Sequence, residues 1–90
     1  MRPAELCEQV LAEAAQIARA RGVTLDAATG PAVAGAPEAP LDRTTLARAA
    51  ANLVANAAEH ARSRVAVSCD VAGGCLVIEV ADDGPGFSPA

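Results

Sequence analysis

Residues 64–80 read Arg-Val-Ala-Val-Ser-Cys-Asp-Val-Ala-Gly-Gly-Cys-Leu-Val-Ile-Glu-Val, and this stretch decides the fold. From Arg64 to Val71 the side chains alternate strictly: Val65, Val67, Cys69 and Val71 face one way, Ala66, Ser68 and Asp70 the other. Period two marks a strand with one buried face. Gly73-Gly74 is a two-residue hairpin signal, since the tight turns that match strand twist need positive φ. Closing the hairpin there sets Val71 opposite Leu76, Cys69 opposite Ile78 and Val67 opposite Val80. All six apolar side chains then share one face, and a one-residue slip would turn one strand's set toward water. Cys69 and Cys75 are not opposite each other in this register, so they read as packing residues and not as a bridge.

Upstream, Asp42 is a good N-cap for a helix running to about Ala61, with Leu46, Ala50, Leu53, Val54 and Ala57 as its buried stripe. Gly30 to Pro40 is rich in Gly, Pro and Ala without a period and reads as a loop. Val23 to Ala28 is a short strand candidate with Val23, Leu25 and Ala27 on one face. Residues 4–21 form an amphipathic helix pattern through Leu6, Val10, Ala14, Ile17 and Ala18, with Pro3 in the first turn and Gly22 as the C-cap. The order helix, strand, helix, strand, strand predicts an α/β chain of the α+β two-layer sandwich type. Its helices lie on one face of a mixed, mostly antiparallel sheet. The last strand runs into a polar Gly-rich loop with no element after it, which reads as an unfinished domain.

Composition narrows the function. Ninety residues with 24 Ala make one small domain with a thin core, burying about 60–65% of its unfolded surface. Seven Arg, no Lys and a net charge of -4 argue against a basic nucleic-acid face. One Phe and no Trp or Tyr leave no stacking platform for single strands. No apolar run approaches the roughly 18–20 residues of a membrane span, and the acidic, Ala-rich start does not resemble a secretory signal. Three Cys without metal-type spacing fit reduced thiols and a cytoplasmic location.

Two constellations could carry chemistry. Asn52 and Asn56 stand four apart in the second helix, so they share a face that Glu59 and His60 extend by a turn. Asn is a mediocre helix former, and its amide oxygen is a hard neutral donor able to ligate Mg²⁺ while phosphates supply the charge. Spacing alone fits a solvated polar face equally well. The second constellation is Asp82-x-Gly84-x-Gly86 directly after a strand. A carboxylate fixed there can accept hydrogen bonds from an exocyclic amine, and glycines let backbone approach a ligand. Read in isolation, it is also an ordinary turn.

The pair together is more specific. Asn-Leu-Val-Ala-Asn-Ala-Ala-Glu-His-Ala at 52–61, a hairpin, then Val-Ile-Glu-Val-Ala-Asp-Asp-Gly-Pro-Gly-Phe at 77–87 resembles the ATP-binding domain of bacterial sensor histidine kinases. That domain belongs to the gyrase, chaperone and mismatch-repair ATPase superfamily with the Bergerat (GHKL) fold. Residues 6–26 resemble its first helix and strand, and residues 40–61 its N-box helix. The resemblance implies that Asn56 holds the Mg²⁺ bridging the ATP phosphates and that Asn52 lines the phosphate side. It further implies that Asp82 reads the adenine amino group and that Gly84 and Gly86 edge the pocket. Asn rather than Glu at position 52 points to the kinase branch; an anti-sigma-type serine kinase regulator, which usually carries Glu there, is the alternative within the superfamily.

Departures qualify the resemblance. Where such kinases often carry Lys or Arg three residues after the second Asn, this chain has Glu59. His60 lacks the dimerisation-domain context of a phosphoacceptor and reads as a helix-surface or pocket-rim side chain. The phenylalanine box, lid and second glycine box would all lie beyond Ala90. The resemblance therefore implies the first part of an ATP-binding domain spanning 1–90, not active alone, whose phosphoryl group goes to a His on another domain. Its implied partners are ATP, a histidine phosphoacceptor or complementary kinase chain and, indirectly, a response regulator. A non-catalytic protein-interaction module is the alternative from a different class.

Overall fold

The computed structural model describes residues 1–84. Along them the chain forms α1 (Pro3–Arg21), β1 (Thr24–Thr29), α2 (Pro31–Ala34), α3 (Arg43–His60), β2 (Arg64–Ala72) and β3 (Cys75–Asp82). The hairpin closes in the expected register: Val71 pairs with Leu76, Cys69 with Ile78 and Val67 with Val80. Gly73 and Gly74 have φ of 58° and 78°, the pair of positive values that an antiparallel two-residue turn of the primed type uses.

β1 lies along the other side of β2 and parallel to it, with Leu25 beside Val65 and Ala27 beside Val67. Parallel neighbours need a long crossover, and the segment holding α2 and α3 supplies it. The sheet is thus mixed, in the order β1-β2-β3. α1 and α3 pack on each other and cover one face. Between them and the sheet lie Leu6 and Val10 from α1, Val54 from α3, and Val65 and Val67 from β2. Ala14, Ala50, Ala57 and Ala58 are buried among them and keep the helices close. On the opposite face Ala66, Asp70, Glu79 and Ala81 are exposed.

The helix starts follow from local chemistry. The Asp42 carboxylate accepts the Thr45 N–H at 3.2 Å and the Thr45 hydroxyl at 3.0 Å. These bonds satisfy an orphan donor of the first turn and hold the acid below its ordinary 3.8. α1 ends on Gly22 in the left-handed region, whose N–H reaches back to the carbonyls of Ala18 and Arg19.

Three details depart from the sequence expectation. Leu53 is not in the core: it is 53% exposed, and Ala47 and Ala58 hold buried positions the apolar spacing did not assign. The covered face of α3 centres on Ala50, Val54 and Ala57, and Leu53 sits on the flank toward β3. Second, the segment 30–40 is not all loop, because α2 forms one turn that buries Val33 against Cys7 and Cys69. Third, Cys75 is exposed, while Cys69 packs as expected. Burial, with the Cys69 thiol beside it, pushes the Cys7 thiol up to about 12, so it stays protonated.

Candidate functional site

On α3, Ala49, Leu53, Asn56 and His60 follow one another at spacings of four, three and four, so they form a single stripe along the helix. The stripe flanks β3. Its lower part borders an apolar groove of about 460 Å³ between the two elements, lined by Leu46, Leu53, Leu76 and Ile78 among others. Neither Asn52 nor Asn56 lines the groove. Asn56 continues the stripe one turn further on, and Asn52 lies one turn back on the outer side; both are exposed. Among the described residues neither amide has a side-chain hydrogen bond, which leaves both carbonyl oxygens available to a ligand.

The other wall comes from the end of β3. Asp82 pairs with Val65, which is fully buried beneath the helices. Paired residues in an antiparallel ladder point to the same side, so Asp82 continues the helix-facing row of Leu76, Ile78 and Val80. Being the last residue of the strand, it emerges exposed at the rim. Its Oδ1 accepts the Gly84 N–H at 2.7 Å, an Asx turn that bends the chain back toward α3. Gly84 packs so closely there that a Cβ would collide with the His60 carbonyl. The structure therefore brings Asp82 and Gly84 to the α3 end that carries Asn56. Gly86 lies outside the described residues.

Asp83 was not singled out by the sequence, and it holds the site's frame together. Its Oδ1 accepts the backbone N–H groups of Arg62 at 2.9 Å, Ser63 at 3.0 Å and Arg64 at 3.0 Å. Its Oδ2 accepts the Ser63 hydroxyl at 2.6 Å. These donors, the Ser63 hydroxyl first and the Ser63 and Arg64 amides next, hold the Asp83 carboxyl far below its ordinary 3.8. These partners lie 19–21 residues before Asp83 in the chain, so no local sequence pattern marks the contact.

A family model of the histidine kinase-, DNA gyrase B-, and HSP90-like ATPases matches residues 41–90. The chain belongs to this ATPase family. The match takes in α3, the hairpin and the segment after β3, which are the elements that carry Asn52, Asn56, Asp82 and Gly84. No curated protein matches the chain. The three helices and three-stranded mixed sheet of the described residues are consistent with part of the GHKL ATPase fold, and family membership makes this an ATP-binding type of domain. Among the described residues no helix is long and apolar enough to cross a membrane. The donor set suits a nucleotide: a rim carboxylate can take an adenine amine, and two neutral amides can face a charged metal-phosphate group without repelling it.

Proposed function

We propose that the chain is the ATP-binding part of a sensor histidine kinase of a two-component system. The observation that carries this reading is the α3–β3 seam. Asn56 continues the groove stripe of the helix, and Asp82 and Gly84 reach the same end from the strand. In this reading Asp82 accepts the adenine amino group, Gly84 and Gly86 edge the pocket, and Asn52 lines the phosphate side. Asn56 holds Mg²⁺ through its amide oxygen. Mg·ATP would supply the phosphoryl group, transferred to a His on a partner dimerisation domain and from there to a response regulator in the cytoplasm. What this chain contributes is binding and orientation, the main demands of phosphoryl transfer. Asn at position 52, where a water-activating Glu would serve hydrolysis, favours transfer to a protein side chain.

Calorimetric titration of the full chain with ADP and ATP, with and without Mg²⁺, tests the reading. Mg²⁺-dependent binding is expected. Asp82→Asn should weaken either nucleotide about ten-fold or more, since a hydrogen bond to a charged acceptor contributes roughly 1.5–3 kcal/mol. Asn56→Asp should alter the Mg²⁺ dependence, because a carboxylate there repels phosphates that no metal neutralises. A folded chain with no response to nucleotide would instead be a protein-interaction module.

A further inference from the structure

We infer that Asp83 is the positioning residue of the nucleotide site, the group that fixes the Asp82 end of β3 against the Asn56 end of α3. The inference rests on the proposed nucleotide site. One carboxylate gathers three consecutive backbone N–H groups and one hydroxyl from residues 62–64, which take in the end of the connection between α3 and β2 and the first residue of β2. The Asp83 N–H in turn donates to the Arg64 carbonyl at 3.2 Å, and the Ser63 carbonyl accepts the Thr24 N–H at 2.7 Å. The connection is therefore clamped between the first residue past β3 and the first of β1. α3 enters this connection directly: the Ala61 N–H donates to the Ala57 carbonyl at 2.8 Å, and Arg62 is already in the grip of Asp83.

The geometry separates two neighbouring carboxylates by task. Asp82 faces the helix side of the sheet at the rim, with one oxygen on Gly84. Asp83 spends both oxygens on residues 62–64. Without it, nothing else among the described side-chain bonds ties residues 62–64 to the strand carrying Asp82. Groups that bind one ligand from two elements lose much of their effect when displaced by about an ångström.

The requirement is for acceptor geometry, not for charge. Asn in place of Asp83 keeps an oxygen for the three amides and turns an NH₂ toward the Ser63 hydroxyl, which can accept. Ala removes every bond.

The test is ADP titration of the full-length wild type, Asp83→Ala, Asp83→Asn and Ser63→Ala, each at a temperature where circular dichroism shows it folded. The expected result is a loss of about ten-fold or more for Asp83→Ala and retention within about three-fold for Asp83→Asn and Ser63→Ala. Amide exchange at residues 62–64 should accelerate in Asp83→Ala alone. A purely architectural clamp would lower the melting temperature and leave the affinity of folded molecules unchanged. Folded Asp83→Ala binding like wild type would overturn the inference, and so would Asp83→Asn binding as poorly as Ala. Should Asp83→Ala not fold, Asp83→Ser, which keeps a single short acceptor, takes its place: weakened ADP binding by the folded variant supports positioning, and wild-type affinity refutes it. Absence of ADP binding by the wild type itself would sink the nucleotide site, and positioning with it. That outcome is distinct from wild-type binding that Asp83→Ala leaves intact.

Discussion

Gly84 packs against the backbone of His60, the last residue of α3, so closely that the His60 carbonyl occupies the space a side chain would need. Glycine at this position is thus required by the approach of strand end to helix end, independently of any ligand. Gly84→Ala must push the two apart. The expected cost is about 1–3 kcal/mol, the range for forcing a methyl group into a filled space. Urea denaturation would measure it, and a variant as stable as wild type would show that the loop moves aside freely.

Leu6 and Leu53 make opposite predictions although both are leucines on helical apolar spacing. Leu6 is fully buried between α1 and the sheet, whereas Leu53 is 53% exposed at the groove. Leu6→Ala should cost about 2–5 kcal/mol, enough to unfold much of a domain this small. Leu53→Ala should stay within about 0.5 kcal/mol of wild type. Equal losses in urea denaturation would place Leu53 in the core after all.

That contrast also marks where the sequence was legible. The hairpin register was readable because alternation and two turn glycines specify it locally, and Asp42 announced the start of α3 by its cap chemistry. The buried stripe of α3 was readable only in part. Spacing placed Ala50, Val54 and Ala57 in the core, where they are buried, but it also placed Leu53 there and passed over Ala47 and Ala58, because in an Ala-rich helix alanine is on every face. α2 left no signal, since one turn has no period; Val33 is drawn in by Cys7 and Cys69, which are distant in sequence. Asp82, Gly84 and the two asparagines were legible as motifs. Asp83 was not, because its partners lie 19–21 residues away and no local pattern encodes such a bond.

The three thiols should react on different terms. Cys7 and Cys69 are buried together and Cys75 is exposed on the hairpin. With its thiol pushed up to about 12, Cys7 offers almost no thiolate at neutral pH, and thiolate is the reactive form. Iodoacetamide at pH 8 should label one site on the native chain and three in urea, as read by intact mass. Rapid native labelling of Cys7 would contradict its place in the core.

Acid should unfold the chain partly through Asp42 and Asp83. Both carboxyls are held below their ordinary 3.8 by hydrogen bonds that only the folded state makes. Their contribution is full above the unfolded value and is lost as pH falls through the lower folded values. The melting temperature should therefore be insensitive to these two groups from pH 7 to about 5 and drop below about pH 4. Asp42→Asn with Asp83→Asn, which cannot titrate, should show a shallower acid limb. An unchanged slope would mean that other carboxyls carry the acid sensitivity.

Glu59 is the residue whose replacement should improve the protein twice over. It stands exposed in the last turn of α3, three residues past Asn56 and so on a neighbouring part of the same surface. A carboxylate there opposes the negative end of the helix dipole, and it would also repel phosphates held at Asn52 and Asn56. Glu59→Lys reverses both interactions. Helix stability should rise by about 0.3–1 kcal/mol, visible as a higher melting temperature with or without nucleotide. If the phosphates lie by the asparagines, ATP affinity should also rise by about two- to five-fold at low salt, more than for ADP, and the gain should shrink as salt screens it. A variant that melts higher yet binds ATP and ADP as wild type does would place the phosphates away from α3.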